Sequence, residues 1–411
     1  MISVQNPLPP LSGSKIILLL AVIGVLVSCT ARKSAIQPDA AVNRAVVAKA
    51  KTDTVILAGR NKALHDEAAI SLLLPFKLGA INPENRTDIE NAYLPLDFYQ
   101  GFRLAIDSIA ASGTPVKLTV FDSQDDSARI TAMLAAGALN ETRLVVGPVF
   151  PAEIARVKDY AEKTHTYFVS PLSPHSLSDF NNPWLITVNS PLDAYAIRSA
   201  EFINTHYAGA HIIVLRTSEA DDRFIKPLLA GLQASPEIIR VVSSQKMSFL
   251  KGRLDAINQN VLIVPSLDKG FWSNLMVYLT EQTAVQPLVV FAHPNFERLQ
   301  YSNYDLLQQI GLRFPSTYFV DKADANMQQF MRAYKTRYFS NPGRYATIGF
   351  DVGTYFGNLV KNKANLDEAL SNSDYKGLHN EFKFKKVPGQ GYRNSSIMML
   401  KYNQGQLLED K

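Results

Sequence analysis

From Ala68 onward the chain alternates short, wholly apolar runs with longer stretches whose apolar residues recur at helical spacing. Ile70 to Phe76 is the first such run, interrupted only by Ser71 and Pro75, and reads as a strand buried on both faces. Phe98, Phe102, Ala105 and Ile109 follow at i, i+4, i+7 and i+11, which places them on one face of a helix. Ser112-Gly113 ends that helix and Pro115 blocks its continuation before the next strand, Val116 to Phe121. Asp125-Asp126 offers a cap for a helix through Ile130, Leu134 and Ala138. Leu144 to Val146 is a strand entering the turn Gly147-Pro148. A helix carrying Ile154, Val157 and Ala161 then leads to the strand Tyr167 to Ser170.

A second series opens after a break near Asn189, with strands expected at His211–Leu215, Glu237–Val242, Val261–Pro265 and Pro287–Phe291. Strands alternating with helices imply parallel sheets covered on both faces, and two such series imply two doubly wound lobes of α/β class. The end of the chain differs. Phe382 to Phe384 and Ile397 to Tyr402 are strand-like around Gly389-Gln390-Gly391, and read as a terminal antiparallel hairpin.

Upstream of Ala68 the pattern has another meaning. Lys15 precedes twelve residues of apolar character, Ile16 to Val27, which end at Ser28-Cys29. A bilayer span takes roughly 20 apolar residues, so the run is too short to cross a membrane and fits the apolar region of a signal peptide. Leu26-Val27-Ser28-Cys29 resembles the lipobox of bacterial lipoproteins, which implies cleavage before Cys29 and acylation of its thiol and new amino terminus. An ordinary secretory signal ending beside a cysteine is the alternative. Residues 1–29 are therefore expected to be a lipoprotein signal ending at the lipidated Cys29, and 30–67, with no sustained core-facing pattern, a tether holding the body off the membrane.

Charge narrows the partners. The formal net charge is +5, of which Lys15 supplies one. Residues 30–67 hold seven Lys/Arg against four Asp/Glu, so about one positive charge is left for the folded body. That is too little for a phosphate-binding footprint, and nucleic acid is not expected as a partner. Cys29 is the sole cysteine, which excludes an intrachain disulfide and any Cys-based metal site.

Several segments in order resemble the type I periplasmic-binding proteins, the family of branched-chain amino-acid receptors of ABC importers. Ile70 to Phe76 is similar to the family's first strand, Phe98 to Asp107 to its first helix, and Phe121 to Asp126 to its strand-end aspartate segment. Val145-Val146-Gly147-Pro148 and Val169 to Ser173 resemble the two cleft-edge turns of the first lobe, and Phe330 to Asp351 the late helices. The resemblance covers roughly residues 68–405. It implies three crossings between the lobes, with 68–188 plus 315–365 in the first and 189–314 plus 366–411 in the second. It also implies a ligand held between them, outside the carboxyl ends of the strands, by hinge closure.

The family's clamp for an α-amino acid is altered. Phe150 and Pro151 stand where serine is usual, Pro174 replaces a frequent threonine, and Thr217 to Asp222 replaces a Tyr-Gly loop. The contacts expected for a small polar ligand are Phe150 packing on an apolar part, hydrogen bonds from Ser170, Ser173 and Ser266, Asp221 facing a cationic group, and His293 at a strand end. Partners implied are this ligand, the membrane through the lipid on Cys29, and an ABC importer. The alternative is a lipoprotein that docks or regulates an envelope enzyme, since outer-membrane activators of peptidoglycan synthases share the fold and a Leu-Leu-Leu-Pro first strand. No cofactor is implied and no metal. His-Glu-x-x-His, the phosphate-binding loop and Gly-x-Ser-x-Gly are all missing from the chain. Ser243-Ser244-Gln245-Lys246 matches Ser-x-x-Lys without its companion motifs. The protein is expected not to be an enzyme.

Overall fold

The computed structural model describes residues 54–55, 68–82, 84–113, 116–242, 246–283, 286–362 and 365–411. The expected signal peptide, Cys29, nearly all of the expected tether and Ser243-Ser244-Gln245 lie outside the described residues.

The first series of elements is β1 (Thr54–Val55), β2 (Ala68–Leu74), α1 (Arg86–Ala111), β3 (Val116–Asp122), α2 (Ser127–Ala135), β4 (Leu144–Val146), α3 (Pro151–Thr164), β5 (Tyr167–Ser170) and β6 (Leu185–Thr187). The second is α4 (Leu192–His206), β7 (His211–Arg216), α5 (Asp222–Gly231), β8 (Glu237–Arg240), β9 (Asn260–Val264), α6 (Lys269–Gln282), β10 (Leu288–Ala292), α7 (Tyr304–Gln309) and β11 (Leu312–Ser316). The chain then forms α8 (Ala325–Tyr338), α9 (Arg344–Lys361), α10 (Leu366–Asn372), β12 (Tyr375–Lys376), β13 (Glu381–Phe382), β14 (Phe384–Val387), β15 (Gly391–Asn394), β16 (Met398–Asn403) and β17 (Gln406–Glu409).

These strands build two mixed, mostly parallel sheets, each flanked by helices. The first has the order β1-β3-β2-β4-β5-β6-β15-β14 and the second β17-β16-β11-β10-β9-β7-β8. This is the two-lobed α/β architecture expected from the alternation. Apolar residues of β2 point to both faces: Ile70, Leu72 and Leu74 enter a core shared with α1 and α9, while Leu73 joins α2 and α3 on the other side. The second sheet is covered in the same way, by α6 and α7 on one face and by α4 and α5 on the other. A strand buried twice cannot alternate polar and apolar residues, which is why these strands read as continuous apolar runs.

Two expectations need correction. The hairpin expected at 382–402 is two hairpins in different sheets: β14 pairs with β15, and β16 with β17. The assignment of residues 366–411 to the second lobe fails for β14 and β15, because β15 runs parallel to β6 in the first sheet and only β16 and β17 join the second. Phe384, Tyr392, Leu366 and Leu370 all lie in the first lobe's core, and their burial there outweighs sequence proximity to β16. Also, α1 begins at Arg86, a dozen residues before Phe98. Pro95 interrupts its hydrogen-bond ladder without ending it, so the polar stretch upstream hid a true helix start at the Asn85 cap.

Three crossings connect the sheets, and side chains tie them together. Thr317, after β11, donates from Oγ1 to Asn189 Oδ1 (3.1 Å), and the Tyr195 hydroxyl lies 2.7 Å from the Thr317 hydroxyl. Ser190 donates to the Asn394 carbonyl at 3.3 Å, and Arg198 to the Ile397 carbonyl at 3.1 Å.

Candidate functional site

In the second lobe the carboxyl ends of β7, β9 and β10 open into a concavity of about 320 Å³. Its wall includes Thr217, Asp221, Phe224, Ser266, Asp268 and His293. The three second-lobe residues expected from sequence therefore converge on one cavity. Each follows a different strand, and parallel strands bring such turns to the same edge of the sheet.

Their roles differ from one another. Asp221 is buried, and its carboxylate is used up by its own turn. One oxygen accepts the Thr217 amide (2.7 Å), the Thr217 hydroxyl (2.9 Å) and the Ser218 amide (3.0 Å), while the other accepts the Ser218 hydroxyl (3.0 Å). Asp221 thus organises the turn after β7 and does not cap α5 with its side chain. Its neighbour Asp222 pairs with Arg216 through two bonds of 2.6 and 3.1 Å, which holds the Asp222 carboxyl below its ordinary range. By contrast Asp126 does cap its helix, accepting the Ala128 amide at 2.8 Å.

Ser266 continues the network across to the neighbouring turn. Its hydroxyl lies 2.9 Å from that of Thr217 and accepts the Asp268 amide at 3.2 Å. Trp272, on α6, donates from its indole to the Ser266 carbonyl at 2.7 Å, so the turn's position is fixed from below.

His293 completes the wall. Its Nδ1 accepts the Asn295 amide at 3.0 Å, which leaves the proton on Nε2. Burial pushes its pKa down to about 4; the Asp221 charge opposes that shift and Arg298 adds to it. Near neutrality the ring is an uncharged donor. The wall therefore offers hydroxyls, an imidazole N–H and the Phe224 ring, without a free carboxylate from Asp221.

In the first lobe, the expected residues do not converge. Phe150, immediately before α3 and 37% exposed, lines a separate concavity of about 510 Å³ with Phe76, Tyr93 and Tyr345. Ser170 and Ser173 line neither concavity. Ser170 is 1% exposed and its hydroxyl has no hydrogen-bond partner; Ser173 accepts the His175 amide at 3.4 Å. Tyr93 escaped notice because it lies in the polar N-terminal stretch of α1. Thr217 could have been singled out, since it follows a strand directly.

Among the described residues no cluster of three or more His, Cys, Asp or Glu could hold a metal, and no helix is long and apolar enough to cross a membrane.

No protein-family model matches this chain, and neither does any curated protein. Solved structures do. A protein described as a branched-chain amino acid ABC transporter from Rhodospirillum rubrum is similar over 84% of this chain and 100% of its own, with a TM-score of 0.63 at 16% identity. Full-length LpoA from Haemophilus influenzae is similar over 85% of this chain and 60% of its own, with a TM-score of 0.57 at 14% identity. The C-domain of that protein, described as a regulator of PBP1A, is covered completely, with a TM-score of 0.54 at 15% identity. The chain has the fold of the type I periplasmic-binding proteins. At such identities the likeness establishes the fold, and function must be argued from the site.

Proposed function

We propose that this protein is an extracytoplasmic binding protein, anchored by lipid on Cys29, which captures a small polar ligand between its lobes. The observation that carries the reading is the meeting of Thr217, Ser266 and His293, from three different strand ends, on one concavity of ligand size. Hydroxyls and a neutral imidazole donor suit a ligand rich in hydrogen-bonding groups, such as an amino-acid-like molecule or a cell-wall fragment. The three crossings, tied at Asn189, Thr317 and Asn394, are where a hinge between the lobes would bend. On this reading the protein is not an enzyme, and an ABC importer is the partner that would receive the ligand.

A second reading has one observation in its favour. Ser170 and Ser173 line neither concavity, so the first lobe does not present the hydroxyl clamp of an amino-acid receptor. A lipoprotein that docks or regulates an envelope enzyme, such as a peptidoglycan synthase, does not need one.

A thermal-shift screen of the full chain against amino acids, peptides, sugars and muropeptides tests the choice. Ligand at a hundredfold over its Kd adds roughly 2.7 kcal/mol. A shift that disappears in Ser266→Ala and His293→Phe supports capture by the second-lobe wall. Silence across all classes, from a folded and ligand-free sample, sinks that reading and favours docking.

A further inference from the structure

Helix α1 changes character along its length. From Phe98 on it buries Phe98, Phe102, Ala105, Ile106 and Ile109. Upstream, Ile89, Tyr93 and Leu96 are 52, 51 and 45% exposed. Apolar side chains gathered at one surface mark a place where something binds.

The first-lobe concavity of about 510 Å³ is lined by this part of α1, through Tyr93, Leu94 and Pro95. Four aromatic rings stand in its wall, from Phe76, Tyr93, Phe150 and Tyr345. They come from four separate elements, so the grouping is a product of the fold. The rings are held in place: Phe76 packs edge-on against Tyr99 at 5.8 Å, and the Tyr93 hydroxyl sits where a side chain on Gly343 would begin.

The charge in the wall is unbalanced. Asp88 and Glu90 line it together with Lys77. Lys77 pairs with Asp125 at 3.2 Å, but that pair is solvent-exposed, so the lining sets two carboxylates against one ammonium. Glu90 pairs with Arg86, but both side chains are solvent-exposed, and such pairs hold weakly. Asp88, in the first turn of α1, accepts the Asn82 amide at 3.0 Å and pairs with no Lys or Arg among the described residues. Ring faces carry negative potential, and carboxylates beside them add to it. Both features favour a cation and neither favours an anion.

We propose that the first-lobe concavity binds an organic cation: an ammonium or guanidinium group carried on an apolar stem. The stem packs between the rings and the charged head lies toward Asp88 and Glu90. The source is either a free amine or a lysine or arginine side chain of a polypeptide. None of these residues belongs to the second-lobe wall, and only Phe150 is shared with the contacts expected from sequence, so failure of the capture reading at Ser266 and His293 leaves this inference testable by itself.

Calorimetry on the full chain tests it with two pairs of probes. Benzylammonium and Nα-acetyl-lysine methylamide represent the free and the polypeptide source. Benzyl alcohol and the ε-acetylated lysine derivative are their neutral counterparts. The cations are expected to bind at least tenfold more tightly than the neutral molecules, and more weakly as salt is raised. Asp88→Asn with Glu90→Gln should abolish the preference for charge, and Phe150→Ala should weaken both cations tenfold. These side chains are solvent-exposed or lie at the rim, and unchanged melting temperatures verify that the variants fold. Preference for benzylammonium supports a free amine, and preference for the lysine derivative supports a polypeptide. Equal binding of neutral and charged probes, no binding of either cation, or binding indifferent to all the variants overturns the proposal.

Discussion

A methyl group on Gly101 would lie 1.9 Å from the carbonyl oxygen of Ala346. Helices α1 and α9 meet backbone to backbone at this point. Gly349 repeats the relationship one turn on, where a Cβ would lie 2.1 Å from the Phe98 carbonyl oxygen. Contact this close lets Asp97, buried at the same crossing, accept the Ala346 amide at 2.8 Å and the Tyr334 hydroxyl at 3.0 Å.

Gly101→Ala is therefore expected to be strongly destabilising. The clash is with backbone, which cannot rotate away, and overpacking of this kind costs about 1–3 kcal/mol or more. Gly79→Ala meets nothing within 4 Å and serves as the control. Urea unfolding of the two variants should separate them clearly.

Asp97→Ala should rank with it. Removing a buried acceptor strands two donors, the amides of Gly343 and Ala346, while the Tyr334 hydroxyl keeps Gln100 Oε1 as an acceptor at 2.5 Å. A cost of about 3 kcal/mol is expected from the orphaned groups. Asp97→Asn, which keeps one acceptor, should recover part of it in the same unfolding assay.

Glu153 runs the other way. It is fully buried at the first turn of α3, and neither carboxylate oxygen makes a hydrogen bond to the protein. Burial raises its pKa above the ordinary 4.5, and the Asp125 charge adds to this. A carboxyl raised in the folded state binds its proton more tightly than in the unfolded chain. Stability is thus lost as pH rises from the unfolded value through the folded one. Glu153→Gln should stabilise the protein by about 1–3 kcal/mol at pH 7.5 and by little at pH 4. Denaturation at both pH values measures the difference.

His293 gives the opposite slope. Its pKa is pushed down to about 4 by burial, against an ordinary 6.5. Between these values the unfolded chain binds the proton and the native ring does not, so stability falls as pH drops from 6.5 toward 4. The loss is at most roughly 3 kcal/mol, from about 1.4 kcal/mol per unit. The imidazole resonances of His293 should titrate near 4 by NMR, and a midpoint above 6 would show that the ring is not buried as described.

Asp221→Asn should affect binding through the turn it organises. Asparagine retains one acceptor for four donors, so the Thr217-Ser218 turn loosens and Ser266 loses its fixed neighbour. Affinity for a captured ligand should fall equally for neutral and cationic ligands. A selective loss for cations would mean that Asp221 faces the ligand directly.

The sequence by itself determined the α/β class, the order of most elements, and the apolar run ending at Cys29. These are local properties: burial on both faces gives unbroken apolar strands such as Val261 to Val264, and one-sided burial gives helical spacing such as Phe98 and Phe102. It also placed Asp221, Ser266 and His293 at one edge of the second sheet, because parallel strands end on the same side. Only the tertiary structure decided that β15 pairs with β6 while β16 pairs with β11. A strand's composition reports how buried it is and carries no address for its partner. The same holds for the walls of the two concavities. That Asp221 spends its carboxylate on Thr217 and Ser218, and that Phe76, Tyr93, Phe150 and Tyr345 share one concavity, depends on distances between side chains set by packing. Spacing along the chain does not encode those distances.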